Sequence, residues 1–227
     1  MRTYSIRAVG MLIVSLLYVL APNRTSAGLN VLDFEGGNLP SGVTAQASYD
    51  AGSPILSTSQ LAGQYLSTYG VKFSSGSAYV AVLELGAGHA TSGVNGIGGS
   101  TPDGLVTYSP DFPIVATFWD PTNPSVPAVT DFVSVRGDLI PNGPPITLEA
   151  LDLNGALLAS DTEFDNFGGT LLSCSVAGIH SVRFLGNGTT AIDDFTFNSV
   201  NAVPLPGAVL LGILGMGAGG LGLRRYR

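Results

Sequence analysis

The chain has 227 residues, enough for one ordinary domain with accessory segments; 45% are hydrophobic, 11% charged, and the formal net charge is −7. All sixteen Asp and Glu lie between Asp33 and Asp194, where Lys72, Arg136 and Arg183 are the only basic residues, so that interval carries −13 and lacks the basic footprint that nucleic-acid binding requires. The single cysteine, Cys174, excludes an intramolecular disulfide, and its apolar surroundings in TLLSCSVAG mark an inert buried thiol.

The first 27 residues read as a signal peptide. Arg2 and Arg7 form a positive start, residues 8–21 an apolar stretch too short for a comfortable membrane span, and Thr25-Ser26-Ala27 a small-residue cleavage site. The mature chain then starts near Gly28 and is exported.

From 28 to 202 short apolar, β-branched or aromatic runs recur between Gly, Pro, Asn and Asp clusters. They are LNVLDFE, VTAQASY, GVKFSS, AYVAVLEL, IVATFW, DFVSVRG, ITLEALDL, ALLASD, TLLSCSV, HSVRFLG and AIDDFTF. No helical period interrupts them, and the spacing of turn signals predicts an all-β antiparallel sandwich. Asn154-Gly155 predicts a two-residue hairpin turn. Leu32 and Phe34 share one face; Phe195, Phe197 and, by parity, Asp193 share another, with Asp194 and Thr196 opposite. The glycine-rich stretch 84–104 and the proline-rich stretch 119–131 read as long loops.

The opening NVLDFEG followed by YGVKFSS, and the ending IDDFTF, are similar to motifs of exported bacterial jelly-roll modules akin to galactose-binding-like and carbohydrate-binding domains. That resemblance implies first and last strands lying side by side, with a structural Ca²⁺ where their acids meet. It nominates Asp33, Glu35, Asp193 and Asp194 as ligands, against the alternative of strand-end acids on a solvated face.

Chemistry is otherwise sparse. His89 and His180 have no partners at zinc spacing, there is no G-x-S-x-G elbow, and GVNGIGGS lacks the Lys-Ser/Thr ending of a phosphate loop. No catalytic residue is assigned and the chain is expected not to be an enzyme. Trp119, the only tryptophan, is a candidate for stacking on a sugar ring, with a place in the core or at its rim as the alternative; Tyr65, Tyr69, Tyr79 and Tyr108 share that ambiguity.

The chain closes on VPLPGAVLLGILGMGAGGLGLRRYR. Residues 207–223 are uncharged and contain seven glycines, a span just short of the hydrocarbon thickness of a bilayer, able to cross it and weak as a helix. Pro204 and Pro206 hold the preceding segment extended, and Arg224, Arg225 and Arg227 form a cytoplasmic stop. A short motif, a span and a basic stop together resemble a PEP-CTERM sorting signal, in the Val-Pro-Leu-Pro variant formed by Val203, Pro204, Leu205 and Pro206; Leu205 stands where the common form has Glu, and Gly207 where the variant has Ala. The resemblance implies passage through the inner membrane of a Gram-negative bacterium, processing by an exosortase-type enzyme, and arrival at the cell envelope or the exopolysaccharide matrix. The expected organisation is thus a signal peptide (1–27), a sandwich domain (28–202) and a sorting signal with a transmembrane helix (203–227). The expected role is structural or adhesive; a carbohydrate-binding module that meets extracellular polysaccharide and an extracellular hydrolase are the alternatives.

Overall fold

A computed structural model describes residues 28–86, 89–137, 144–164, 169–188 and 190–203. The signal-peptide segment, the motif residues Pro204, Leu205 and Pro206, the 207–223 span and the arginine stop lie outside the described residues. Among those described, no helix is long and apolar enough to cross a membrane.

The described chain is all-β. Its strands are β1 (Leu29–Leu32), β2 (Gln60–Leu61), β3 (Val71–Ser74), β4 (Val80–Glu84), β5 (Asn95–Ser100), β6 (Val106–Thr107), β7 (Ile114–Asp120), β8 (Asn123–Gly137), β9 (Pro145–Leu151), β10 (Leu157–Phe164), β11 (Thr170–Ile179), β12 (Ser181–Leu185), β13 (Ile192–Asn198) and β14 (Asn201–Ala202). One 3-10 turn, Ser57–Ser59, and one helical turn, α1 (Leu66–Tyr69), complete the set, the latter stopped by Gly70 in the left-handed region.

All pairings between these strands are antiparallel; an isolated bridge from Gln46 to Leu83 is parallel. One run follows β10-β9-β12-β7 and adds β3 beside β7. Another runs from β11 through β8 to β13, which pairs with β1 along its second half and meets β5, and hence β4 and β2, at Ile192. The two runs are covalently and hydrogen-bond continuous through β7 and β8, whose first pair is Asp120 with Asn123.

Side chains from both runs meet in one aromatic cluster. Phe73 of β3 packs edge-on against Phe195 of β13 at 5.3 Å, and Phe118 of β7 lies 5.3 Å from Phe197. Phe34, fully buried just past β1, packs edge-on against Phe73 at 6.0 Å. Burying each ring stabilises the fold by about 1.5–3 kcal/mol, and favourable ring geometry adds about 0.5–1.5 kcal/mol per pair. The parity expected for Leu32, Phe34, Phe195 and Phe197 is met: all four are buried.

Three local expectations are corrected. The glycine-rich stretch is not all loop, because Asn95–Ser100 forms β5, buried at every residue. Its glycines serve close packing: a Cβ on Gly96 would press on the Leu85 side chain and the Ile192 carbonyl, and one on Gly98 on Leu83. The proline-rich stretch is mostly the first half of the 15-residue β8. Pro127 gives up a donor there but still accepts from Val203 N–H at 2.8 Å, which suits the ladder. The β9–β10 hairpin forms, yet its turn is longer than two residues. Asp152 N–H donates to the Ala156 carbonyl at 2.9 Å, while the Asp152 carboxylate takes Asn154 and Ala156 N–H at 2.8 Å each.

Candidate functional site

The acids nominated from the first and last strands lie at the ends of β1 and β13, and the structure shows what each carboxylate holds. Asp33 Oδ1 accepts from Glu35 N–H at 3.1 Å and from Asn38 Nδ2 at 2.8 Å, closing the turn after β1. Glu35 reaches across to the segment entering β5. Its Oε1 accepts Val94 and Asn95 N–H, both at 2.8 Å, and its Oε2 faces Asn95 Nδ2 at 3.3 Å. The same Asn95 amide donates to the Phe34 carbonyl at 3.1 Å. Phe34 sits at φ 55°, a conformation that bulky residues rarely adopt, with its carbonyl held by Asn95 and its ring packed on Phe73.

Asp193 is 1% exposed. Its Oδ2 accepts Thr91 N–H at 2.9 Å and Ser92 N–H at 2.8 Å, with the Ser92 hydroxyl at 3.2 Å; Oδ1 accepts Asp194 N–H at 2.7 Å. Burial pushes the Asp193 carboxyl up to about 6, against the opposing pull of the Ser92 and Asp194 N–H groups. Asp194 stands on a bulge: between Asp193 and Thr196 β13 advances three residues while β8 advances two, from Arg136 to Ser134. Asp194 has φ 48° and turns its carboxylate outward to Arg136 Nε at 3.8 Å.

Glu35 and Asp193 are therefore brought onto one feature, the segment 91–95, whereas Asp33 and Asp194 have separate tasks. A calcium ion needs six to eight oxygens turned toward one point. Here four backbone N–H groups are aimed at the Glu35 and Asp193 carboxylates, and among the described residues no three His, Cys, Asp or Glu form a group able to hold a metal. The donor set does not fit a shared calcium; it fits two carboxylates clamping a loop.

Trp119 closes β7. Its ring is half-buried and packs edge-on against His180 at 5.8 Å, and its Nε1 is shielded from solvent with no acceptor among the described residues. His180 is itself fixed, with Nδ1 2.9 Å from the Ala128 carbonyl. The indole is thus a half-buried rim residue that packs on His180 beside Ala128 of β8. Tyr65 is buried and its hydroxyl donates to the Asn38 carbonyl at 2.8 Å; the Tyr108 hydroxyl donates to the Tyr49 carbonyl at 2.5 Å. Cys174 is buried with Sγ 3.7 Å from the Leu148 carbonyl, and burial raises its thiol pKa, as its sequence context predicts.

The surface of the described residues includes two open grooves. One, of about 450 Å³, runs between residues 39–45 and Asn95 and is lined by small and aliphatic residues with no aromatic or charged side chain. The other, of about 360 Å³, is lined by Asp131, Phe132, Ser175, Val176, Ala177 and Asn198. Residue spacing did not single out this second group, because Asp131 and Asn198 are joined only by the pairing of β8 with β13.

No family model matches the chain, and no curated protein matches it. Among solved structures it is similar to the enzymatically active domain of tailspike protein 4 from bacteriophage CBA120, with a TM-score of 0.30 and 13% identity over 66% of this chain and 21% of that one. The chain thus spans about a fifth of that neighbour's length.

Proposed function

We propose that the protein is an exported component of the cell surface or exopolysaccharide matrix of a Gram-negative bacterium. In this reading its β-domain is a jelly-roll-like sandwich with a structural or adhesive role and no enzymatic one. A signal peptide brings it to the inner membrane, a PEP-CTERM-like tail holds it there, and an exosortase-type enzyme processes the tail. The sandwich reading is supported by the meeting of Phe73 and Phe118 from one strand run with Phe195 and Phe197 from the other.

The observation that carries the sorting reading is the position of the two ends of the domain. The Gly28 carbonyl accepts both the backbone N–H and the hydroxyl of Ser199, at 2.9 and 3.0 Å, and four residues further on Val203 N–H is bound to Pro127. Gly28 and Ser199, next to the two segments read as membrane-directed, therefore lie side by side. Neighbouring ends suit a domain tethered by both during export, because neither tether has to run along the folded body.

Intact-mass measurement of the chain recovered from its native envelope tests the reading. The expected mass begins near Gly28 and lacks the residues after about Pro206. A mass that includes Arg224, Arg225 and Arg227 would instead mean a retained anchor.

A further inference from the structure

The last element of the described chain is a short strap laid on β8. Ser199 is held by the Gly28 carbonyl, and Val200 packs against the main core beside Gly70. β14 follows, with Asn201 opposite Val129 and Ala202 opposite Ala128, and Val203 N–H then donates to the Pro127 carbonyl at 2.8 Å. This strap is held lightly. Both β14 residues are exposed, and Pro127 has no N–H to return to Val203. A segment with few apolar contacts and exposed ladder bonds lies at the low end of local opening free energies.

Val203 is also the first residue of the Val-Pro-Leu-Pro motif. A cleft that takes an extended segment binds it through main-chain hydrogen bonds, and those of Val203 and β14 are already given to β8. Reach points the same way. Gly207, where the apolar run begins, is four residues beyond Val203, a separation of at most about 14 Å. A small domain is about 30 Å across, so a body folded down to Val203 leaves less than half that depth for a processing enzyme at the bilayer. With 201–203 off β8 and Val200 still on the core, the seven residues from Val200 to Gly207 reach up to about 25 Å.

We propose that β14 withholds the sorting motif from its processing enzyme. Tail removal requires residues 201–203 to come off β8, so the opening of this strap sets how fast a folded chain is processed. The domain thereby slows its own release from the membrane once β8 has formed. This inference rests on the sorting reading above and adds the regulation of that same site.

The test follows the intact mass of the full chain in its native envelope at successive times after a pulse of synthesis. Ala128→Cys together with Ala202→Cys places thiols on directly opposed residues, whose Cα separation in an antiparallel ladder, about 4.5–5.5 Å, lies within disulfide range. Cys174 is buried and does not compete. The oxidised lock is expected to slow loss of the residues after about Pro206 by on the order of tenfold, and reductant to restore the wild-type rate. About eight Gly and Ser residues inserted between Ala202 and Val203 preserve both the motif and the β14 pairs while adding reach. They are expected to make processing fast in locked and unlocked chains alike. Asn201→Pro, which takes an N–H out of the strap at an exposed position, is expected to speed it as well. Tail loss at one rate in wild-type, locked and inserted chains overturns the strap and leaves the sorting reading standing, as does a slowing that reductant does not relieve. Arg224, Arg225 and Arg227 retained in all of these chains overturns the sorting reading and the strap with it. Retention in the wild type with loss in the inserted chain supports both.

Discussion

Glu35 and Asp193, 158 positions apart, hold the two halves of one five-residue segment: Asp193 accepts the N–H groups of Thr91 and Ser92, and Glu35 those of Val94 and Asn95. Gly93 lies between the two grips at φ 56°, and a Cβ built on it would fall on the Glu35 carboxylate. The clamp thereby ties the turn after β1 and the bulge of β13 to the entry of β5, three elements that otherwise share few ladder bonds.

Gly93→Ala tests the clamp. A side chain in the left-handed region costs about 1–2 kcal/mol, and pushing Glu35 aside gives up charge-assisted hydrogen bonds of about 1.5–3 kcal/mol each. A loss of about 3 kcal/mol by chemical denaturation is expected. In the Glu35→Ala background the same substitution should cost only its backbone part, about 1–2 kcal/mol. Equal costs in the two backgrounds would show that the carboxylate and the glycine are not coupled.

Asp193 gives the clamp a pH dependence of unusual sign. Its carboxyl is raised by burial from 3.8 to about 6, so the folded state keeps a proton that the unfolded chain has released. The contribution of this group to stability is complete below about pH 4 and is lost as pH rises through about 6. The change over that window is on the order of 3 kcal/mol. Denaturation of the wild-type chain at pH 4, 5, 6 and 7 should show this decline, and Asp193→Asn should flatten it whatever its absolute stability. A wild-type curve rising through the same window with a slope that Asp193→Asn removes would mean that the N–H donors outweigh burial.

The legible part of the fold was the part governed by local alternation. Leu32, Phe34, Phe195 and Phe197 announce their faces because period-2 patterning reflects the pleat itself. β5 was hidden because Asn-Gly-Ile-Gly-Gly-Ser has the composition of a loop; its glycines are needed by neighbours, Leu85, Leu83 and Ile192, that are close only once the chain has folded. The prolines of β8 concealed that strand for a related reason: Pro124 and Pro127 occupy its exposed first half, where the ladder tolerates a missing donor. At the candidate sites, the acids at the strand ends were visible as residue types. Their partners were not, since backbone N–H groups leave no trace in composition. The groove beside Asp131 depends on a bulge in β11 that spacing does not encode.

Calcium gives a direct check on the reading of the acidic residues. Glu35 and Asp193 already accept backbone donors, Asp33 accepts from Asn38, and Asp194 faces Arg136. A cation would have to compete with these groups for the carboxylates. The melting temperature of the chain in millimolar calcium should match that in chelator. An increase of several degrees, removed by Asp193→Asn, would establish a site that the arrangement of donors does not favour.

Trp119 supports the point where the chain leaves the domain. Its residue pairs with Pro127, whose carbonyl holds Val203, and its own N–H is bound by the Gly70 carbonyl at 2.7 Å. The indole Nε1 is buried without an acceptor among the described residues, so Trp119→Phe removes an unsatisfied donor and keeps most of the ring. That variant is expected to change stability by less than about 1 kcal/mol, because the lost packing is offset by the donor no longer buried. Trp119→Ala instead leaves a gap against His180 and is expected to cost about 2–4 kcal/mol. It should also loosen Asn201–Ala202 on β8, since the strand they pair with loses its backing. Limited proteolysis followed by mass measurement reads this out: faster cleavage around 201–203 in Trp119→Ala and wild-type rates in Trp119→Phe. Unchanged cleavage in Trp119→Ala would detach the tryptophan from the exit and leave its packing role alone.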